Sequence, residues 1–168
     1  QRLRIRAGAG NWAYLAFAGS CAAPCWLGSS ATHASSGFGG GAITACVAFE
    51  FCAARPLDHR TLPPPPESRD AIAVVLGPQD RHFSPEAIAN LATGSFAATA
   101  RFDRMGRVLG GPPLRPTSIS MPSEPALRGC LQADGEGGVT VLLADHQTTS
   151  GYPKIATVIG SDVDRLAQ

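Results

Sequence analysis

Apolar residues fall into short runs along this chain, and glycine- and proline-rich punctuation separates the runs. Such a pattern predicts strands and tight turns rather than long helices. Leu3 and Ile5 alternate with arginines like a strand already in progress. "AYLAFAG" (Ala13 to Gly19) predicts a buried strand, and "ITACVAFEF" (Ile43 to Phe51) sets Cys46, Ala48 and Glu50 against Val47, Phe49 and Phe51. Between them, "GSSATHASSGFGGG" is too rich in Gly and Ser for regular structure. Ala71 to Leu76 predict a strand closed by Gly77-Pro78. "SFAATARF" predicts a strand, "DRMGRVLGGPPL" a turn with a short strand, and "GVTVLLAD" and "KIATVIG" two more strands. "SPEAIANLATG" predicts a helix: Ser84 caps it, Pro85 opens it, Glu86 suits its positive end and Gly94 ends it. The expected class is mainly β with few short helices, in a barrel or sandwich.

Four consecutive prolines, Pro63 to Pro66, exclude both helix and central strand. They favour an extended spacer, read as a plain linker over residues 55–70 rather than an SH3-type ligand. Residues 1–54 and 71–168 then form separate parts. Both ends read as cut from a longer protein. The chain opens at Gln1 without methionine and closes on "SDVDRLAQ", a helix start with Ser161 as the expected N-cap.

Composition narrows the function. The 168 residues, 44% hydrophobic and 16% charged, suffice for a real core. A net charge of +1 with scattered arginines argues against nucleic acid as the main partner. No run approaches the roughly 18 uninterrupted apolar residues that span a bilayer, so no membrane is expected and the default location is cytoplasmic. Five cysteines (Cys21, Cys25, Cys46, Cys52, Cys130) include no CxxC pair. Cys21, Cys25 and His33 lack a second ligand pair, so no metal is expected and partly buried free thiols are the reading.

"LLADHQTTSGYPKIATVI" (Leu142 to Ile159) carries the candidate chemistry. Seven residues, Gln147 to Pro153, separate two strand-like runs where a hairpin needs two or three. An amide, two hydroxyls, a phenol and the following ammonium share one arc. The alternative is a structural crossover whose Gln and Thr groups satisfy backbone atoms while Tyr152 packs.

Together with "WAYLAFAG...LGSSATHASSGFGG", "LGPQDRHF" and "FDRMGRVLGG", this stretch resembles the carboxyltransferase-domain family. That family includes allophanate hydrolase subunit 2, the C subunit of bacterial 5-oxoprolinase and the matching domain of urea amidolyase. The family pattern resembles A-D-R-Q-T-T-G-G-Y-P-K-I, from which this chain differs at His146 and Ser150. Where D-R-M-G-Y-R-L-x-G is usual, it has Arg107 and Val108. The resemblance implies two cyclophilin-like β-barrel subdomains, the first incomplete. It implies one component of an ATP-dependent complex that opens 5-oxo-L-proline to L-glutamate with companion subunits. Alternatives are a biotin-dependent carboxyltransferase acting on urea, and a non-catalytic regulator binding a sister subunit or a histidine kinase.

A small amide substrate needs donors on its carbonyl oxygen and acceptors for N–H. With the family in view, Lys154, Gln147 and Tyr152 are the candidate catalytic residues, Lys154 to neutralise a carboxylate or phosphate. Thr148, Thr149 and Gln79 are candidate substrate contacts. Asp103 and Arg104 are candidates to grip a carboxylate, and Asp145 to orient Lys154 or accept a substrate N–H. No glycine-rich phosphate fingerprint is complete, so the ATP site is expected on a partner or in other sequence.

Overall fold

A computed structural model describes residues 4, 10–53, 71–77 and 79–168. The Leu3–Ile5 alternation, the 55–70 linker with Pro63 to Pro66, and Pro78 lie outside the described residues. The chain divides into two compact units, one holding the described residues 13–53 and the other holding the rest.

In the first unit, β1 (Ser20–Cys21) pairs antiparallel with β2 (Phe51–Cys52). Trp26 stacks on Phe38 with ring centroids 4.4 Å apart, and Phe17 meets Phe51 at 4.3 Å. None of residues 13–53 is buried, and Tyr14 is 96% exposed. The strand expected over Ala13 to Gly19 is therefore absent, and that over Ile43 to Phe51 shrinks to its last residue. The second is broken by a turn in which Val47 N–H donates to Thr44 O and Cys46 takes a φ of 68°. Without a neighbouring ladder, apolar alternation alone does not hold a strand. Four of the five thiols are exposed, and only Cys130 is buried. Among the described residues no three His, Cys, Asp or Glu side chains come together, and no helix is long and apolar enough to cross a membrane.

The second unit runs β3 (Val74–Leu76), α1 (Pro85–Thr93), β4 (Ala97–Phe102), β5 (Gly106–Gly110), β6 (Glu124–Pro125), β7 (Cys130–Ala133), β8 (Val139–Leu142), β9 (Thr149–Ser150), β10 (Lys154–Val158) and α2 (Gly160–Ala167). Six strands form one antiparallel sheet in the order β3-β10-β7-β8-β5-β4, while β6 and β9 make a separate ribbon. Among the described residues the protein is thus mainly β with two short α-helices. Ser84 caps α1, its Oγ accepting from Ala87 N–H at 3.1 Å, and Gly94 stands at its C-cap. By contrast, α2 starts one residue before Ser161, with Ile159 at the N-cap and no side-chain cap. Its first-turn Asp162 instead accepts from Ala73 N–H at 2.8 Å.

One face of the sheet packs against the helices. Leu109, Leu131, Val139, Val141, Ile155 and Val158 join Ala87 and Val163 in this core. Arg107 leaves on the same side as Val141, its registered partner, and its Nη1 donates to Leu166 O and Gln168 O, both at 2.8 Å. It thereby satisfies carbonyls that the end of α2 would otherwise leave unpaired.

A bulge in β10 decides which way Lys154 points. Lys154 pairs with Gln132, but Ala156 pairs with Leu131, so β10 spends one extra residue there. Ile155 and Ala156 both reach the core, while Lys154 stays on the opposite face. In unbroken alternation Lys154 would share a face with Ala156 and Val158. Gly77 fits against this bulge, its N–H donating to Ile155 O at 2.7 Å. A Cβ there would meet Lys154 O at 2.5 Å.

Candidate functional site

Val108, Thr140, Gln132 and Lys154 stand in register across β5, β8, β7 and β10, so their side chains leave the sheet on the face away from the helices. Part of this face is covered by a small apolar cluster of Ala126, Cys130 and Leu142. The rest opens as a cleft of roughly 540 Å³ whose lining includes Phe102, Asp103, Gln132, Thr140, Gln147 and Tyr152.

The Gln147–Pro153 arc is tied down at several points. Ala126 N–H donates to Thr148 O (2.9 Å), Thr149 and Ser150 pair with Pro125 and Glu124, and Ala133 N–H donates to Pro153 O (3.0 Å). Leu143 N–H and Asp145 N–H reach back to Met105 O and Arg104 O. With its backbone held, the arc delivers its two ends to the cleft. Gln147 Nε2 donates to Gln132 Oε1 at 3.2 Å, and Tyr152, 54% exposed, stands over the opening.

Beneath the cleft lies a buried polar bracket. Gln79 is 1% exposed; its Oε1 accepts from Lys154 N–H at 2.8 Å and its Nε2 donates to Glu124 Oε2. This links β10 to the β6–β9 ribbon. Lys154 is 2% exposed, and among the described residues its Nζ has no hydrogen-bond partner. Gln132 Nε2 is likewise buried without one.

The structure places the other candidate residues as follows. Arg104 does not join Asp103, because Asp145 occupies its guanidinium in a two-point contact: Nη2 to Oδ1 at 3.0 Å and Nε to Oδ2 at 2.8 Å. For the same reason Asp145 does not orient Lys154. Both ends of the Gln79 amide are engaged inside the protein. Thr148 and Thr149 are exposed and do not line the cleft; their backbones anchor the arc. Asp103 does line it, and its Oδ1 accepts from Met105 N–H (2.8 Å) and Gly106 N–H (3.1 Å) to form the turn into β5. Its Oδ2 has no protein partner among the described residues. His146 turns to its own loop, Nδ1 lying 2.7 Å from Gln147 O. Val108 faces the cleft while Arg107 caps α2 on the far side, and the arginine in the cleft lining is Arg101.

Sequence reasoning missed Gln132, Asp134, Thr140 and Glu124. The first three belong to the β7–β8 hairpin "CLQADGEGGVTV", whose glycine-rich turn between apolar runs was a hairpin signal. A glutamine at the centre of the strand Cys130–Ala133, all four residues of it buried, was the mark of a polar group held for a purpose. Chemically, the cleft combines donors for a carbonyl oxygen, in Gln132, Gln147 and Tyr152, with the Asp103 carboxylate as an acceptor for N–H.

Known proteins share this framework. A family model described as "Carboxyltransferase domain, subdomain A and B" matches residues 1–168. The C subunit of 5-oxoprolinase from Escherichia coli is 34% identical over 98 residues, covering 58% of this chain and 32% of that protein. That of Haemophilus influenzae is 43% identical over 67 residues, covering 39% of this chain and 22% of its own. The chain therefore spans about a third or less of the curated relatives it matches. Two crystal structures of a protein called TTHA0988 superpose with TM-scores of 0.69 and 0.71 at 31% identity, covering 84% and 86% of this chain and 28% and 29% of theirs. The chain belongs to the carboxyltransferase-domain family.

Proposed function

We propose that the chain belongs to the C-type component of a 5-oxoprolinase assembly, and that its cleft holds the cyclic amide 5-oxo-L-proline for conversion to L-glutamate. The observation that carries this reading is the meeting of Gln132, Gln147, Tyr152 and Asp103 around one opening. Opening a lactam breaks the C–N bond and joins water's oxygen to the carbonyl carbon, while the ring nitrogen takes a proton. Negative charge gathers on the carbonyl oxygen, where the amide and phenol donors stabilise it. Asp103 accepts the ring N–H and fixes the orientation. The curated relatives, both named as the C component of 5-oxoprolinase, support the substrate class and imply companion subunits.

ATP would supply the driving force by activating the amide oxygen. The cleft suits it poorly: its lining charges are mixed, Arg101 with Asp103 and Asp134, and no glycine-rich phosphate fingerprint is complete in the sequence. The nucleotide is therefore assigned to a companion subunit. A second reading, carboxyl transfer to urea from biotin, draws on the family description itself. Both readings fit a cytoplasmic enzyme.

The test uses the full-length protein with its companion subunits and follows ATP hydrolysis that depends on 5-oxoproline. Gln147→Ala and Lys154→Ala should each lower the rate by about 100-fold with assembly intact, the scale of losing a preorganised donor. Unchanged rates would make the arc a structural crossover. A stable assembly without activity would bring forward the urea reading, or a regulator of a sister subunit or histidine kinase.

A further inference from the structure

Among the described residues, two of the buried donors without an acceptor are neighbours. Lys154 and Gln132 are directly opposed across β10 and β7, a pairing that sets Cβ atoms about 5 Å apart on one face. Lys154 Nζ and Gln132 Nε2 are both without a partner among the described residues. The acceptors nearest in the bonding network are each turned to another donor. Gln132 Oε1 receives Gln147 Nε2, and Gln79 Oε1 receives the backbone N–H of Lys154 itself. The Glu124 carboxylate is engaged by Gln79 Nε2 and forms no salt bridge with Lys154. A protein that buries an ammonium beside an amide N–H without counter-charge has built a place for an anionic oxygen.

We propose that Lys154 Nζ and Gln132 Nε2 form the pocket for a carboxylate carried by the ligand whose amide occupies the cleft. The inference rests on the small-amide reading above and sharpens it. The ligand class becomes an amide bearing its own carboxylate, and a neutral molecule such as urea leaves the ammonium unanswered. Gln132 spans the two regions, since it lines the cleft and stands beside Lys154. The Gln147 contact fixes the Gln132 amide so that its nitrogen is the end left to donate.

Calorimetric titration of the full-length protein in its assembly decides this, with two probes of one ring: 5-oxo-L-proline and the uncharged lactam 2-pyrrolidinone. Wild type should bind 5-oxoproline at least about tenfold more tightly, the scale of one charge-assisted contact. Lys154→Met should erase most of that difference while leaving 2-pyrrolidinone unaffected, and Gln132→Ala should erase it while also weakening 2-pyrrolidinone, because Gln132 lines the cleft. Without ligand, Lys154→Met should melt no lower than wild type, because the apolar isostere removes an uncompensated charge. Equal wild-type affinities for the two lactams, or variants that keep the preference, would overturn the pocket. Tyr152→Ala separates the cleft from the pocket. If it weakens both lactams equally while the carboxylate preference is absent, the cleft reading stands and the pocket falls. If neither lactam binds wild type, both fall.

Discussion

Gln79 shows how one side chain positions others. Its buried amide answers a backbone donor on β10 with one end and the half-buried Glu124 carboxylate on β6 with the other. Gln79→Ala leaves the Lys154 N–H and the Glu124 carboxylate unsatisfied, and should destabilise the protein by roughly 2–4 kcal/mol in urea unfolding. A loss under about 1 kcal/mol would mean that the bracket is solvated. The exposed Arg104–Asp145 fork is the contrasting case. Arg104→Ala should cost no more than about 1 kcal/mol in the same measurement, because solvent screens a surface pair. From sequence, Gln79 and Arg104 both read as ligand contacts: polar residues in turns look alike until burial separates them. Lys154, Gln147 and Tyr152 could be singled out as candidates because they follow one another along one arc. Gln132 was not, since its meaning depends on its strand partner Lys154, far along the chain.

At the scale of elements, local chemistry announced some boundaries and long-range pairing set the rest. Helix α1 carries its own start signal, and Ser84→Ala should cost about 1 kcal/mol by thermal or urea unfolding. The β10 bulge has no such signature in "YPKIATV". It is held from outside, by Gly77 and by the register with β7. Gly77→Ala drives a methyl into the Lys154 carbonyl and should destabilise by roughly 1–3 kcal/mol, with disturbed Lys154 and Ile155 amide signals in NMR spectra. Intact spectra and full stability would show that the bulge does not need the close approach. The strands expected over Ala13 to Gly19 and Ile43 to Phe51 failed for the complementary reason. Their apolar patterns are sound, but β1 and β2 contribute only two paired residues each, and nothing else described in their unit supplies a ladder.

Across the second unit, the sheet divides its labour between faces. Alternation sends Leu109, Leu131, Val139 and Val141 to the helices, and Val108, Thr140 and Gln132 to the cleft. The mainly β class was readable from the spacing of apolar runs and turns. The two-faced arrangement was not, because it required the β7–β8 hairpin and the bulge together. On the proposed reading the tethered arc closes over the polar face, the in-register row floors it, and buried Lys154 stands at one side. The most direct test is a structure of the full-length assembly with 5-oxo-L-proline bound. The ligand ring should lie over Gln132 and Thr140 between Gln147 and Tyr152. Ligand density at any other site, with this cleft holding only solvent, would contradict the assignment.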